Sequence, residues 1–326
     1  MSGFWRRRRV VVAGGSGFIG GAVCHTLAER GCTQVLIPRR TDYDLTTARG
    51  AADMYETLRP DLVIALAGVG GGIVAHREHS ALHFYENLAM AMNLVEQGRR
   101  HGVDKIVYLS SADAYPHDAQ SPLREEDLWT GLPHEVHRSY GLAKRTVHVM
   151  LESYLQEYGL RSAYLISTNV FGPGASFDPT TAHVVPAMIR RFGEAVERGA
   201  ETVACWGSGN PTRDFLFVDD AAEGIVLAAE KLSEPDPVNL GSGREVPIRE
   251  LAETIARLVN FHGSITWDLS KPDGQPRRCL ETSRARRLLG FSASTDLETG
   301  LGRTIAWWRT NRLRPELPPV PPGRYC

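Results

Sequence analysis

The run Arg9-Val10-Val11-Val12-Ala13-Gly14-Gly15-Ser16-Gly17-Phe18-Ile19-Gly20 constrains this chain more than any other stretch. β-Branched residues favour an extended strand. Gly14, Gly17 and Gly20 then recur at three-residue spacing, and Ile19, Val23 and Leu27 carry the spacing of one helix face. The order predicts strand, tight turn, helix N-terminus. Glycines let the backbone come close to a ligand, and a helix start offers unpaired N–H groups and a partial positive charge, which together suit a pyrophosphate. In this context the glycines predict a dinucleotide-binding turn rather than an ordinary glycine-rich loop, with Gly14, Ser16, Gly17, Phe18, Ile19 and Gly20 as contacts.

The rest of the chain alternates. Strands are predicted over 34–37, 62–67, 105–109 and 160–166, and helices over 18–30, 47–58, 85–98 and 140–158, with Gly31 ending the first. Regular alternation predicts an α/β fold with a doubly wound parallel sheet of the Rossmann type. Loops at the carboxyl ends of its strands border the ligand crevice, which brings in Asp44, Leu45, Leu66, Ala67, Gly68 and Leu109. Arg39 and Arg40 follow the second strand, where the adenosine ribose is met. An acid there would bond the free 2′-hydroxyl of NAD, and arginine accommodates the 2′-phosphate, so NADP(H) is the expected cofactor. The plain alternative is two surface arginines on a loop. Beyond residue 170 the alternation weakens and Pro and Gly increase, as in Phe171-Gly172-Pro173-Gly174 and Lys271-Pro272-Asp273-Gly274. This predicts a nucleotide-binding domain over 1–170 with later returns near 214–241. A smaller substrate-binding lobe, mainly 171–326, interleaves with it and ends in a Pro-rich tail over 315–322.

Composition excludes other classes. A net charge of −1 leaves no global field for nucleic acid or membrane. Five scattered cysteines (Cys24, Cys32, Cys205, Cys279, Cys326) include no Cys-x-x-Cys pair, so neither a metal site nor a disulfide scaffold is expected and a cytoplasmic setting fits. The four arginines at 6–9 precede too short an apolar run for a signal peptide, and no stretch is long enough to span a membrane. With Cys326 the last residue given, no prenylation box is expected.

Two segments carry the chemistry. Leu109-Ser110-Ser111-Ala112-Asp113-Ala114-Tyr115 closes a strand, and Tyr140-Gly141-Leu142-Ala143-Lys144 opens a helix. Tyr140 and Lys144, four apart, share a helix face. An ammonium beside a phenol favours the phenolate and is expected to lower its pKa from about 10 toward neutrality, which suits a proton donor to a carbonyl oxygen.

These segments, with Gly71-Gly72-Ile73-Val74-Ala75 (expected after the fourth strand), Asn169-Val170-Phe171-Gly172-Pro173, His183-Val184-Val185-Pro186, Arg190-Arg191-Phe192, Trp206-Gly207-Ser208-Gly209, Arg213-Asp214-Phe215 and Arg277-Arg278, resemble the extended short-chain dehydrogenases/reductases that act on nucleotide sugars. Within them the chain is most similar to the GDP-fucose synthases and to deoxysugar 4-ketoreductases. The resemblance implies an NADPH-dependent reduction at C4 of a nucleotide-linked 4-keto-6-deoxyhexose. Tyr140 would protonate the C4 oxygen, Lys144 would tune Tyr140 and hold the nicotinamide ribose, and Ser111 would bond the carbonyl. Ser167, Asn169 and Val170 would lie near the nicotinamide. Asn169, Arg191, Trp206, Arg213 and Arg278 would meet the substrate, arginine suiting phosphate by its fork and fixed charge. For Arg213 the alternative is an ion pair with Asp219 or Asp220. The resemblance also implies a homodimer through a four-helix bundle of the 85–98 and 140–158 helices.

The chain departs from that pattern at three positions. The family epimerises C3 and C5 with a cysteine and a histidine; the histidine matches His183, but Asp113 stands at the cysteine position. Ser16 and Arg278 replace an arginine and a lysine. Asp113 either takes over as acid/base, which needs a pKa raised by burial, or epimerisation is reduced or lost, leaving a plain ketoreductase; the second is preferred. Only four of the 37 basic residues are lysines. With the lost cysteine, this directs the expectation toward a specialised deoxysugar pathway and a substrate such as dTDP-4-keto-6-deoxyallose.

Overall fold

The computed structural model describes residues 3–71, 73–271 and 273–312, with the backbone alone at 73 and 74. Gly72, the side chains of Ile73 and Val74, Pro272, the 315–322 tail and Cys326 therefore lie outside the described residues. In chain order the elements are β1 (Arg9–Ala13), α1 (Phe18–Glu29), β2 (Gln34–Leu36), α2 (Ala48–Leu58), β3 (Leu62–Ala65), α3 (Ile73–Glu78), α4 (Ser80–Arg100), β4 (Lys105–Ser111), α5 (Arg138–Tyr158) and β5 (Arg161–Ser167). There follow β6 (Asn169–Phe171), α6 (Val184–Glu197), β7 (Thr202–Trp206), β8 (Thr212–Arg213), β9 (Phe215–Phe217), α7 (Val218–Lys231) and β10 (Pro237–Leu240). The last are β11 (Val246–Pro247), α8 (Ile248–Val259), β12 (Ser264–Asp268), α9 (Ser283–Leu289) and α10 (Leu297–Asn311).

Six strands form one parallel sheet in the order β10-β5-β4-β3-β1-β2. Parallel strands are buried on both faces and read as continuous apolar runs. Val10, Val11, Val12 and Ala13 of β1 and Leu62, Val63 and Ile64 of β3 are buried accordingly. Alternate residues feed opposite faces: Val11 and Ala13 pack with α2, α4 and α5 residues, and Val10 and Val12 with those of α1, α7 and α9. A third apolar cluster, including Phe192, Phe217, Leu251, Ile255, Leu301 and Trp308, joins α6, α8, α10 and β9. It stands beside three two-stranded pairs, β6-β9, β7-β12 and β8-β11.

Two features depart from the sequence reading by more than a shift of one or two residues at an element's end. α4 begins at Ser80, five residues before the predicted start. Its first turns turn His83, Glu86 and Asn87 inward, each 2–3% exposed, so a polar stretch that reads as solvent face is core. The Gly71–Ala75 block follows β3, the third strand, not a fourth. The described cysteines Cys24, Cys32, Cys205 and Cys279 are free thiols. No helix among the described residues is long and apolar enough to cross a membrane.

Candidate active site

At the carboxyl edge of the sheet, β1 passes into its turn with Gly15 N–H donating to Val12 O and Gly17 N–H to Gly14 O, both at 2.9 Å. Gly14 has φ +87°, and a methyl group there would lie 2.7 Å from Ala67 N. At Gly20 a methyl would stand 2.1 Å from Gly14 O, so the first turn of α1 can press on the loop only without a side chain. The N-cap of α1 is Gly17; no side chain caps the helix and no acid sits in its first turn, leaving its N–H groups for an anion. Gly14, Ser16, Gly17, Phe18, Ile19 and Gly20 line one cleft with Arg40, Asp44, Leu45, Leu66, Ala67 and Gly68.

Arg39 lies outside that lining. Its exposed residue closes a turn, its carbonyl accepting from Asp42 and Tyr43 N–H. Arg40 lines the cleft and pairs with the buried Glu86 of α4 at 3.2 Å. A residue that pattern reading did not single out, Asn87, fixes the far wall. It accepts from Val69 N–H at 3.2 Å and donates to Val69 O at 2.8 Å, pinning the loop after β3.

The cleft continues through Phe18, Ile19, Leu66 and Gly68 into a second recess lined by Leu109, Ser111, Asp113, Tyr140, Lys144, Ser167, Asn169, Val170, His183 and Arg278. β4 ends on Ser111, which caps the short 3-10 turn Ala112–Ala114 by accepting from Asp113 N–H at 3.2 Å. The first turns of α5 lie on that segment. Arg145 donates to Ala114 O and, at 2.8 Å, to Gly131 O. The Tyr164 hydroxyl of β5 donates to Lys144 O at 3.1 Å and shares a hydrogen bond with the Ser110 hydroxyl at 2.8 Å.

Lys144 and Tyr140 share their face as expected, with Nζ 5.7 Å from the Tyr140 ring centre and donating to Leu109 O at 3.1 Å. The tuning differs from expectation. Burial lowers the Lys144 ammonium to about 8. Tyr140 is raised, not lowered: desolvation and then the charge of Asp113 disfavour its phenolate, and a hydrogen bond with Ser111 only partly opposes them. Tyr140 is thus held as the neutral phenol, the proton-donating form.

Asp113 also departs from the acid/base expectation. Burial alone would raise its carboxyl. Arg278, whose Nη2 donates to Oδ1 at 2.7 Å, and His137, 3.8 Å away, override this and hold it well below the usual carboxylate range. It is an ion-paired carboxylate without a proton to give. His183, at the N-cap of α6, faces the recess, and desolvation lowers its pKa against the pull of Asp113.

Sequence reading missed two further imidazoles, His76 and His137. Their ring centres are 4.8 Å apart, and His76 lies 5.1 Å from the Tyr140 ring. Burial, then His137 and His83, push His76 down to about 4, so it is neutral and contributes shape and polarity. Each has a second histidine three positions away, His79 and His134, but neither pair belongs to a motif of this chemistry.

A third recess, lined by His134, His137, Arg213 and Gln275, shares Ala112, Asp113 and Arg278 with the second. Arg213 pairs with neither aspartate proposed for it: Asp219 pairs with Arg303 at 2.8 Å, and Asp220 accepts from Ser294 and Thr295. Its Nη1 instead donates to Thr212 O and Gln275 O, each at 2.7 Å, and burial with the nearby Arg278 lowers it to about 10. Arg191 and Trp206 lie outside these linings. Arg191 donates to Ala204 O at 2.9 Å, joining α6 to β7, and Trp206 is exposed with Lys271 over its ring.

The profile of the NAD dependent epimerase/dehydratase family matches residues 10–241. The chain belongs to this family. Among epimerase/dehydratase relatives, the GDP-L-fucose synthase of Escherichia coli (strain K12) is 35% identical over 317 residues, covering 94% of this chain and 98% of that protein. Among solved structures of similar fold, a GDP-6-OMe-4-keto-L-xylo-heptose reductase from C. jejuni matches with TM-score 0.86 at 26% identity, covering 93% and 97% of the two chains. A GDP-L-fucose synthetase from Naegleria fowleri bound to NADP matches with TM-score 0.85 at 26% identity over 94% and 95%.

Proposed function

We propose that this protein is an NADP(H)-dependent oxidoreductase that reduces the C4 ketone of a nucleotide-diphosphate-linked 4-keto-6-deoxyhexose, with dTDP-4-keto-6-deoxyallose as the preferred substrate. The observation that carries this reading is the meeting of Ser111, Tyr140 and Lys144 on one wall of a recess continuous with the glycine-turn cleft. The cleft fits a dinucleotide by its own geometry: Gly14 and Gly20 have no room for side chains, and the uncapped α1 terminus faces it. Gly14, Ser16, Gly17 and Gly20 would cradle the pyrophosphate, Arg40 would meet the 2′-phosphate, and Ser167, Asn169 and Val170 would border the nicotinamide. When bound, NADPH supplies hydride to the carbonyl carbon.

The chain's own residues do the rest. Ser111 turns its one hydroxyl proton from Asp113 Oδ2 to the carbonyl oxygen and orients it. The phenol of Tyr140 gives its proton to that oxygen as it gains charge, so the ketone leaves as an alcohol. Lys144 then stabilises the phenolate left behind. Arg213 and Arg278 meet the diphosphate in the adjoining recess.

A second reading adds epimerisation at C3 and C5 before reduction, which the resemblance to the GDP-fucose synthases implies. His183 in the recess favours it. The ion-paired Asp113 opposes it, because a group that exchanges a carbon-bound proton needs a basic lone pair free. The test is reaction with NADPH in heavy water, offering GDP-4-keto-6-deoxymannose, dTDP-4-keto-6-deoxyglucose and its C3 epimer, followed by NMR of the product. Reduction at C4 with no deuterium at C3 or C5 is expected. Deuterium at both carbons would establish the epimerising reading.

We also infer a homodimer through α4 and α5, which pack side by side. Phe84, Tyr85 and Met92 of α4 and Val149 of α5 are 40–63% exposed, a sizeable apolar face for a surface pair of helices. Sedimentation at micromolar concentration should give twice the 35.9 kDa chain mass; a monomer there overturns the inference.

A further inference from the structure

Asp113 has no free oxygen. Oδ1 accepts from Arg278 Nη2 at 2.7 Å and faces His137 Nδ1 at 3.8 Å, and Oδ2 accepts from Ser111 Oγ at 3.2 Å. Its own N–H donates back to Ser111 Oγ. The carboxylate thus bridges a serine of the reaction recess and an arginine that lines both that recess and the next. Arg278 and Arg213 repel one another, and Asp113 is a negative charge common to both. Removing it would leave the repulsion between the two guanidinium groups opposed only by the more exposed Asp273, which acts on Arg213.

The backbone of Arg278 is fixed independently. Its carbonyl accepts from Asp214 N–H at 3.0 Å, and Cys279 O accepts from Leu123 N–H at 2.8 Å. Asp214 itself is fully buried, accepting from Ser242 and Leu280. Loss of Asp113 therefore releases the Arg278 side chain without releasing the backbone segment that carries it.

We propose that Asp113 is a positioning residue that holds Arg278 against Ser111 and so sets the register between a substrate's diphosphate and its reacting carbonyl. The proposal rests on the nucleotide-sugar reading above and gives Asp113 a role in place of acid/base chemistry. A diphosphate entering the third recess meets two arginines whose spacing Asp113 has set. The sugar then reaches Ser111 across the Asp113–Arg278 pair. Coupling of this kind makes two residues act as one unit, and their substitutions are then not additive.

The test is a cycle of Asp113→Asn, Arg278→Gln and the double variant. Its readouts are kcat and KM for the nucleotide sugar that is turned over, dissociation constants for dTDP and GDP, and NADPH affinity. Each single change should raise KM and weaken nucleoside diphosphate binding by roughly tenfold or more. NADPH affinity should stay within about twofold, because neither Asp113 nor Arg278 lines the glycine-turn cleft. The double variant should match the worse single within about twofold. Asp113→Glu, which restores the charge, should recover part of the loss. Effects that multiply in the double variant overturn the proposal. So does an Asp113→Asn enzyme with unchanged KM and lost deuterium exchange, which would make Asp113 an acid/base. If Asp113→Asn loses NADPH binding by misfolding, Arg278→Lys decides. It keeps the charge but loses the fork, and unchanged KM and nucleotide binding in that variant overturn the proposal. The diphosphate measurements need no turnover, so they stand even if the ketoreductase reading fails on Tyr140.

Discussion

Replacing Tyr140 with phenylalanine should cut turnover by at least about a hundredfold while NADPH still binds with affinity within about twofold of the parent. The ring packs at 5.1 Å from His76 and shares its helix face with Lys144, and phenylalanine preserves both contacts. Only the hydroxyl is removed, and with it the transferable proton and the hydrogen bond with Ser111. Because desolvation and Asp113 hold the phenol above its ordinary pKa, Tyr140 is protonated across the usual assay range. The Lys144 ammonium, pushed down to about 8, is the group that titrates there. It is charged below that value and neutral above it, so parental activity should fall as pH rises through about 8, with the phenol still intact. Steady-state turnover and NADPH fluorescence titration check the first statement, and a pH–rate profile checks the second. Unimpaired turnover in Tyr140→Phe would remove the assigned proton donor and the mechanism with it.

How much of this was legible in the residues follows from the range of the interactions. The β1 turn and the Tyr140–Lys144 pair are set by neighbours within a few positions, and local spacing reports them. The edge strand β10 joins β5 in register with Leu165 against Val238, across α6, α7 and four short strands, and no local pattern carries that pairing. Arg278 meets Asp113 from 165 positions away, so the sequence could name both residues but not their pair. Without that pair Asp113 reads as a buried acid with a raised pKa, and with it the sign reverses. His76 and His137 were invisible for a related reason: each matters only because α3 and the turn before α5 bring it beside Tyr140 and Asp113. Arg39 and Arg40 were indistinguishable as a dipeptide; the carboxylate of Glu86 on α4 separates them. Buried polar groups on α4 hid its first turns because a periodicity argument treats polar as exposed.

A change that removes no chemical group should be nearly as damaging as Tyr140→Phe. Gly141 follows the tyrosine, and a methyl group there would stand 2.3 Å from the Asp113 carbonyl oxygen and 3.1 Å from Pro133 Cβ. The first is backbone in a turn capped by Ser111, and the second is a ring, so neither yields by rotating a side chain. In Gly141→Ala the first turn of α5 must lift off the Ala112–Ala114 segment, separating Tyr140 from Ser111. Displacement on the order of 1 Å at reacting groups costs about a hundredfold in rate, and that is the expected loss in turnover. NADPH binding at the distant glycine turn should persist. Local propensity argues the opposite outcome: alanine favours a helix over glycine by about 1 kcal/mol. If the two segments did not touch, Gly141→Ala would raise the melting temperature and leave turnover unchanged. Measuring both together therefore tests whether close contact between the serine turn and the tyrosine helix builds the site. A fall in turnover with retained cofactor affinity supports that contact; a more stable, fully active variant excludes it.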